Sequence, residues 1–501
     1  MKTILKTIGI IIGICLLLVA TIVIAINTDF VQNKILKYAT AKLSEKLQTK
    51  VEAESISINF FSLSADLHGV SLELPGKKAD NLIDMETMRL KGKQVDIQRL
   101  HFRTDNHLPR KNEGKPKRGW FDAGHIDIMA DLQLQINHLQ KDSISASIIK
   151  GTAIDSISGF NIKDLRMDVT TDLKQMDVRN AVIQQGSTVI QIPEVMLWLP
   201  NKKDSTAMSY YTPEPLTAHV ILQDISRLFT PALAQFTLPL ELSVMAEGDA
   251  DTMQFRDIKV NTEDEKLQLN AVGSIENLRS KYLLAISFHV DEMIVKRGMK
   301  SKIINQFPVK KFMMKQLDNL GEIRYKGDFS ILRKREVFAG RIATEVGSLN
   351  LANLTLNDST KIVSGKVSTT DMELGKAIDM KDIGKVEAKA SFDFDISKER
   401  TALIRKQKGG KLPIGMVDAV VTEANYKKVK VKNVSVEIDS DGAEATGNLS
   451  ISGRLADSRF IFTFTDTNEM QKMKVKPSLK VHFPRLNIFS KKKANNQDKT
   501  K

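Results

Sequence analysis

The chain has 501 residues, of which 42% are hydrophobic, and a formal net charge of +14. That apolar share excludes general disorder and allows a large buried surface. Its single cysteine, Cys15, sits near the start, which excludes disulfides, thiolate metal sites and a cysteine nucleophile from everything after it.

The opening segment, residues 1–27, reads as an uncleaved membrane anchor. No charged residue stands between Lys6 and Asp29, and the apolar run between them approaches the ~20 residues that span a bilayer. A secretory signal has an apolar region of only about 7–15 residues and a small-x-small cleavage site, whereas Ala20 and Ala25 are flanked by bulky Val and Ile. Lys2 and Lys6 place the N-terminus in the cytoplasm under the positive-inside rule, so the rest is exported. An exported body without a thiol suits a bacterial periplasm.

Residues 28–49 form the next element, an amphipathic helix capped by Thr28 or Asp29, with Val31, Ile35, Ala39, Leu43 and Leu47 recurring every four residues. It can plug one end of the sheet behind it or lie on a membrane surface.

From residue 50 the hydrophobic period changes to two. Ile126, Ile128, Ala130, Leu132, Leu134 and Ile136 alternate with polar residues and Met129. Val386, Ala388, Ala390, Phe392, Phe394 and Ile396 do the same, as do Val475, Leu479, Val481 and Phe483. Shorter versions lie at 240–246, 267–275, 323–331 and 429–438. Such alternation predicts antiparallel strands with one greasy and one wet face, in a mainly β fold.

Helical interruptions are predicted near 224–236, broken at Pro231, and near 291–320, broken at Pro308, with a short one at 371–379. Four segments share a shape of apolar, polar, Asn or Asp, then alternating apolar residues, and suggest a repeated hairpin-like unit: 160–167, 255–260, 351–356 and 431–436. Residues 106–119 and 200–215 read as loops, Gly409-Gly410 as a flexible turn, and 490–501 as a disordered basic tail. Trp120-Phe121 fits strand-edge packing better than a membrane-interface pair.

Nucleic acid is not an expected partner. The basic clusters, Arg110 to Arg118 and Lys491 to Lys493, carry no interleaved aromatics for base stacking. Enzyme chemistry is not expected either. There is no phosphate loop, nucleophile elbow or H-E-x-x-H. His101 with His107, or His125 with Asp127, matches no zinc spacing, and the histidines read as solvent-facing strand residues. No catalytic residue, metal site or cofactor is assigned.

Three stretches carry a family resemblance. One is Thr28 to Ile35 with Leu43 to Val51 and Ile56 to Ser62. Another is Leu320 to Phe329 with Phe338 to Thr344, Gly347 to Leu349 and Gly365 to Lys376. The last is Tyr426 to Leu449. These residues resemble the AsmA-like envelope proteins, most nearly the N-terminal part of the TamB proteins of Bacteroidetes. The alternation alone fits an open sheet or a closed sandwich or barrel. The resemblance implies an elongated, twisted sheet folded into an open apolar trough over 50–489. It further implies a Gram-negative inner-membrane protein with one pass, its bulk in the periplasm, carrying phospholipid to the outer membrane in support of outer-membrane biogenesis. Membrane phospholipids and the inner membrane would be its partners, with an outer-membrane barrel protein as a further one. The chain departs from TamB in being much shorter, with a lysine-rich tail after Phe489 in place of the domain that meets that barrel. An alternative within the resemblance is a scaffold for outer-membrane protein assembly and secretion. Candidate groove residues are Ile126, Ile128, Leu132, Leu134, Ile136, Val386, Phe392, Phe394, Ile396 and Val481.

Overall fold

The computed structural model describes residues 32–482, less 48–49, 60–63, 74–81, 106–107, 111, 114–118, 123, 141–142, 173, 200–207, 230, 250, 279, 281–282, 307–313, 428 and 454–455. The anchor at 1–27, Phe483, the 490–501 tail and the Pro308 break lie outside the described residues. Among the described residues no helix is long and apolar enough to cross a membrane.

The described part is mainly β, with 27 strands in one antiparallel sheet and few helices. Two compact units divide the chain, the first running through Met314 and the second holding most of the remaining residues.

In the first unit, helix α1 (Gln32–Leu47) precedes β1 (Val51–Glu52), β2 (Ser55–Asn59), β3 (Ser64–Glu73), β4 (Leu82–Lys91), β5 (Gln94–Asp105) and β6 (His125–Leu139). The ladder continues through β7 (Ile144–Asp155), β8 (Asn161–Thr171), β9 (Gln175–Gln185), β10 (Thr188–Trp198), β11 (Ser209–Tyr211) and β12 (Leu216–Val220). It ends with β13 (Leu240–Asp249), β14 (Met253–Asn261), β15 (Leu267–Glu276) and β16 (Ala285–Val295). Each long strand pairs with its neighbours in sequence, so hairpin connections build the sheet.

The largest buried core lies at the start of this unit, with a smaller cluster of Val169, Val178 and Ala181 on β8 and β9. Leu67, Ile83, Met88, Val95 and Ile97 are almost completely buried, and Ile126, Ala130, Leu134 and Ile136 of β6 join them. Leu36 of α1 enters the same cluster, and the Val51 amide donates to Ser44 Oγ at 2.8 Å. The helix thus packs onto the sheet end: Leu36 and Ala39, three residues apart and so on one helix face, are buried while Tyr38 stays exposed.

Several strands carry one left-handed residue in their interior: Gly69 in β3, Arg99 in β5 and Asn180 in β9. Arg99 donates its amide to Asp131 Oδ1 at 2.8 Å, and Asn180 donates through Nδ2 to Asp168 Oδ2 at 2.9 Å. Ladder register shifts beside Arg99 and Asn180, the mark of β-bulges, which bend a strand and raise its twist. The segments sharing a sequence shape fall at such irregularities rather than at hairpin turns. Register shifts at Ile162/Asp164, Phe255/Ile258 and Ala352/Thr355, and Asn353 and Asn433 have positive φ.

The interruption at 224–236 is helical: a 3₁₀ turn (Leu222–Ile225), α2 (Ser226–Phe229) and a second 3₁₀ turn (Pro231–Gln235). Trp120 and Phe121 dock there, donating their amides to Arg227 O and Leu228 O at 2.8 and 3.1 Å, with the Arg227 guanidinium 5.6 Å from the Trp120 ring. The second interruption differs from expectation. Residues 291–295 complete β16, because Ile294 and Val295 are buried and pair with Gln268 and Leu267. Helices begin only at α3 (Met299–Ile304) and α4 (Met314–Asn319).

The second unit contains β17 (Ile323–Leu332, part of which falls in the first unit), β18 (Arg335–Thr344), β19 (Gly347–Asn357), β20 (Ile362–Thr370) and β21 (Met372–Glu373). Next come α5 (Leu374–Ile378), β22 (Ile383–Asp395), α6 (Lys398–Lys408), β23 (Ile414–Tyr426), β24 (Val429–Asp441), β25 (Glu444–Ser452), β26 (Ala456–Asp466) and β27 (Gln471–Val481).

A basic composition conceals helix α6 in the sequence, although its caps are legible. Ser397 Oγ accepts from the Arg400 amide at 3.2 Å, and Gly409 closes the helix at φ 63°. No α6 residue is buried, so it has no apolar stripe to read. Lys408 reaches across to Asp441 in the β24–β25 turn. With that ammonium and the Ala443 and Glu444 amides all donating to it, the Asp441 carboxyl is held down to about 2. The folded value lies below the ordinary carboxylate one, so this contribution is complete above about pH 4 and fades as the pH falls toward 2. Asp441→Asn should therefore lower the urea midpoint at pH 6, with the gap from the parent closing between pH 4 and 2. A gap independent of pH would refute this assignment.

Candidate functional site

Beyond β6, the apolar side chains of the alternating strands line up from strand to strand. In the first unit one row runs Leu132, Gly151, Leu165, Ile183, Ile190, Ala218, Leu242, Val260, Leu269 and Met293, each paired with the next. In the second unit a row runs Gly365, Phe392, Val417, Ile438, Gly447, Phe462 and Val475. Beside it lies another: Leu351, Val367, Ala390, Ala419, Val436, Leu449, Phe460 and Pro477. None of these positions is charged. The intervening positions carry the charge, as at Glu387, Asp418 and Glu437, with Lys430 and Lys432 both paired to Glu423.

Most members of these rows are only half-buried among the described residues. Among the described residues, the apolar core of β1–β6 is buried, whereas across β22–β27 only Ala445 is a buried apolar strand residue. Phe392, Val417, Ile438 and Phe462 are half-buried. On β27 exposure is complete along the strand, reaching 67% at Leu479. An antiparallel sheet commonly presents one polar face to water, but its apolar face needs a cover. Seven strands at ~4.8 Å spacing give a row about 29 Å long, close to the ~30 Å of bilayer hydrocarbon, which is two acyl chains end to end.

The sequence-derived lining residues fall into two environments. Ile126, Leu134 and Ile136 belong to the closed core, and Ile128 and Leu132 pack against it. Val386, Phe392 and Phe394 lie half-buried on the apolar face of β22. Ile396 stands just past the end of β22 and is 48% exposed, while Val481 ends β27 at 50% exposure. Phe460, Phe462 and Phe464 of β26 were missed, although their period-two spacing was readable. Gly365, Gly415 and Gly447 were missed because a glycine carries no hydrophobic signal.

Tyr210 brings a polar atom to this face of the first unit. Tyr210 stands between Leu197 and Gly248 in its row, and its buried hydroxyl has no hydrogen-bond partner among the described residues. Burial pushes its pKa above the usual phenolic value.

The histidines follow the polar positions with one exception. His101 lies between Asp127 at 2.7 Å and Asp84 at 3.8 Å, and His219 pairs with Glu241 at 2.6 Å. His125, expected in solvent, is buried with Asp122 at 3.2 Å, because it opens β6 beneath the 119–122 segment docked on α2. Its partners are Asp122 and Asp105, not Asp127. His107 lies outside the described residues. Among the described residues no group of three or more His, Cys, Asp or Glu side chains could hold a metal ion.

No protein-family model matches this chain, and no curated protein matches it. The functional reading therefore rests on the geometry of the apolar face and on the sequence resemblance.

Proposed function

We propose that this protein carries phospholipid, as an AsmA-like protein held in a Gram-negative inner membrane by residues 1–27, with its sheet in the periplasm. In this reading the half-open apolar rows hold acyl chains and headgroups stay in water at the rim. Lipid delivered to the outer membrane supports its biogenesis. The protein is not an enzyme.

The observation that carries the reading is the pairing of continuous apolar rows with their incomplete burial. A covered methylene contributes about 0.8 kcal/mol, so a single tail laid along such a row is held firmly. A repetitive aliphatic lining offers many near-equivalent positions and no deep trap, which is what movement along it needs.

A scaffold for outer-membrane protein assembly is the second reading. It is favoured by the free edge of β27, which pairs with β26 alone among the described strands. That edge is a poor template: Pro477 lacks an amide, and Lys472, Lys474, Lys476 and Lys480 alternate along it, both devices that discourage strand addition.

Mass spectrometry of the full-length protein, purified after gentle extraction, discriminates the two. Phospholipid retained in about stoichiometric amount is expected. A lipid-free protein that captures unfolded barrel strands would turn the assignment to the scaffold.

A further inference from the structure

Aromatic rings on the apolar face lie over glycines of the adjacent strand. Phe288 and Phe255 both pair with Gly273, from its two sides. Strands two steps apart are separated by about 9.6 Å, yet these ring centroids are 5.8 Å apart. The rings therefore lean toward each other across the glycine. A Cβ on Gly273 would fall 2.4 Å from Phe288 Cδ1 and 2.3 Å from the Ser287 carbonyl oxygen.

The second unit repeats this arrangement. Phe462 pairs with Gly447, where a Cβ would lie 2.1 Å from its Cζ. Phe394 pairs with Gly415, where a Cβ would lie 2.9 Å from its Cδ1, though the Asp393 carbonyl oxygen is closer still at 2.1 Å. Phe392 pairs with Gly365 more loosely, its Cζ in ordinary contact at 3.5 Å while Leu354 Cα lies closer at 3.0 Å. The strands differ in sequence, and the pairings are fixed by register, so the recurrence is a property of the face.

We infer that these glycines are seats that hold the phenylalanine rings down on the sheet and so set the clearance above it for an unbranched acyl chain. The inference rests on the carrier reading. A ring standing upright would project from the face and block a chain crossing that row. Laid on a glycine, it presents its flat side at about the height of a Val or Ile side chain. Glycine weakens a strand and phenylalanine can stabilise one by covering it, so stability alone would also select such pairs. The experiment must separate clearance from stability.

Binding of a fluorescent fatty acid to the full-length protein is measured for the parent, Gly447→Val, and Gly447→Val/Phe462→Ala, each with its thermal midpoint. Filling the seat should weaken binding about tenfold, as overpacking displaces the ring into the groove. Removing the ring from the filled seat should restore affinity to within about twofold of the parent. Parental affinity in Gly447→Val at an unchanged midpoint overturns the inference. So does a folded double variant that binds about tenfold more weakly than the parent, a comparison that holds even if the single variant is unstable. A parent that takes up no probe overturns the carrier reading itself, and the seats lose their function with it.

Discussion

Phe392→Asp is expected to abolish acyl-chain retention by the full-length protein while leaving its β-sheet circular dichroism intact. Phe392 stands between Gly365 and Val417 in an uncharged row and is half-buried. In the lipid-free protein the new carboxylate keeps contact with water, so the fold tolerates it. A tail lying across it would cover an unpaired charge, costing several kcal/mol, which offsets the gain from several methylenes at ~0.8 kcal/mol each. Retained lipid, counted by mass spectrometry, should fall more than tenfold. Lipid at the parental level would remove this row from the proposed path. Ile128→Asp makes the contrast: Ile128 packs against the closed core, so the charge there should unfold the start of the first unit instead.

Leu67→Ala should cost about 2–5 kcal/mol in urea denaturation, the range for large-to-small changes in a packed core. Leu67 is 1% exposed, and Ile83, Met88 and Ile97 belong to the same cluster and are nearly as buried. Val417→Ala should cost about 1 kcal/mol or less, since two carbons leave a position already half-open. The comparison tests the central structural distinction between a sealed segment and an uncovered one. Equal costs at both sites would mean that the face beyond β6 is packed like a core.

Period-two alternation made most of this architecture readable. β6, β22 and β27 stand where the alternating residues placed them, and on β6 and β22 the apolar positions are the more buried ones. The failures have local causes. Residues 291–295 carry acids that mimic a helix start, yet pairing with β15 holds them in a strand. Helix α6 lacks any buried residue, so hydrophobic periodicity could not find it, and only Ser397 and Gly409 marked its ends. Arg99 and Asn180 sit at bulges that bend strands without altering composition enough to notice.

The candidate site was legible in kind but not in place. Ile126 and Phe392 look alike in sequence, each an apolar residue in an alternating strand. One is sealed beneath α1 and β1–β5, and the other is left half-open.

Most strands, and which side of each is apolar, are set by the amino-acid order alone, because these depend on residues a few positions apart. Which apolar faces are covered, and which glycine receives which phenylalanine ring, emerge only in the assembled sheet. Burial and register are relations between segments distant along the chain, and no local period encodes them.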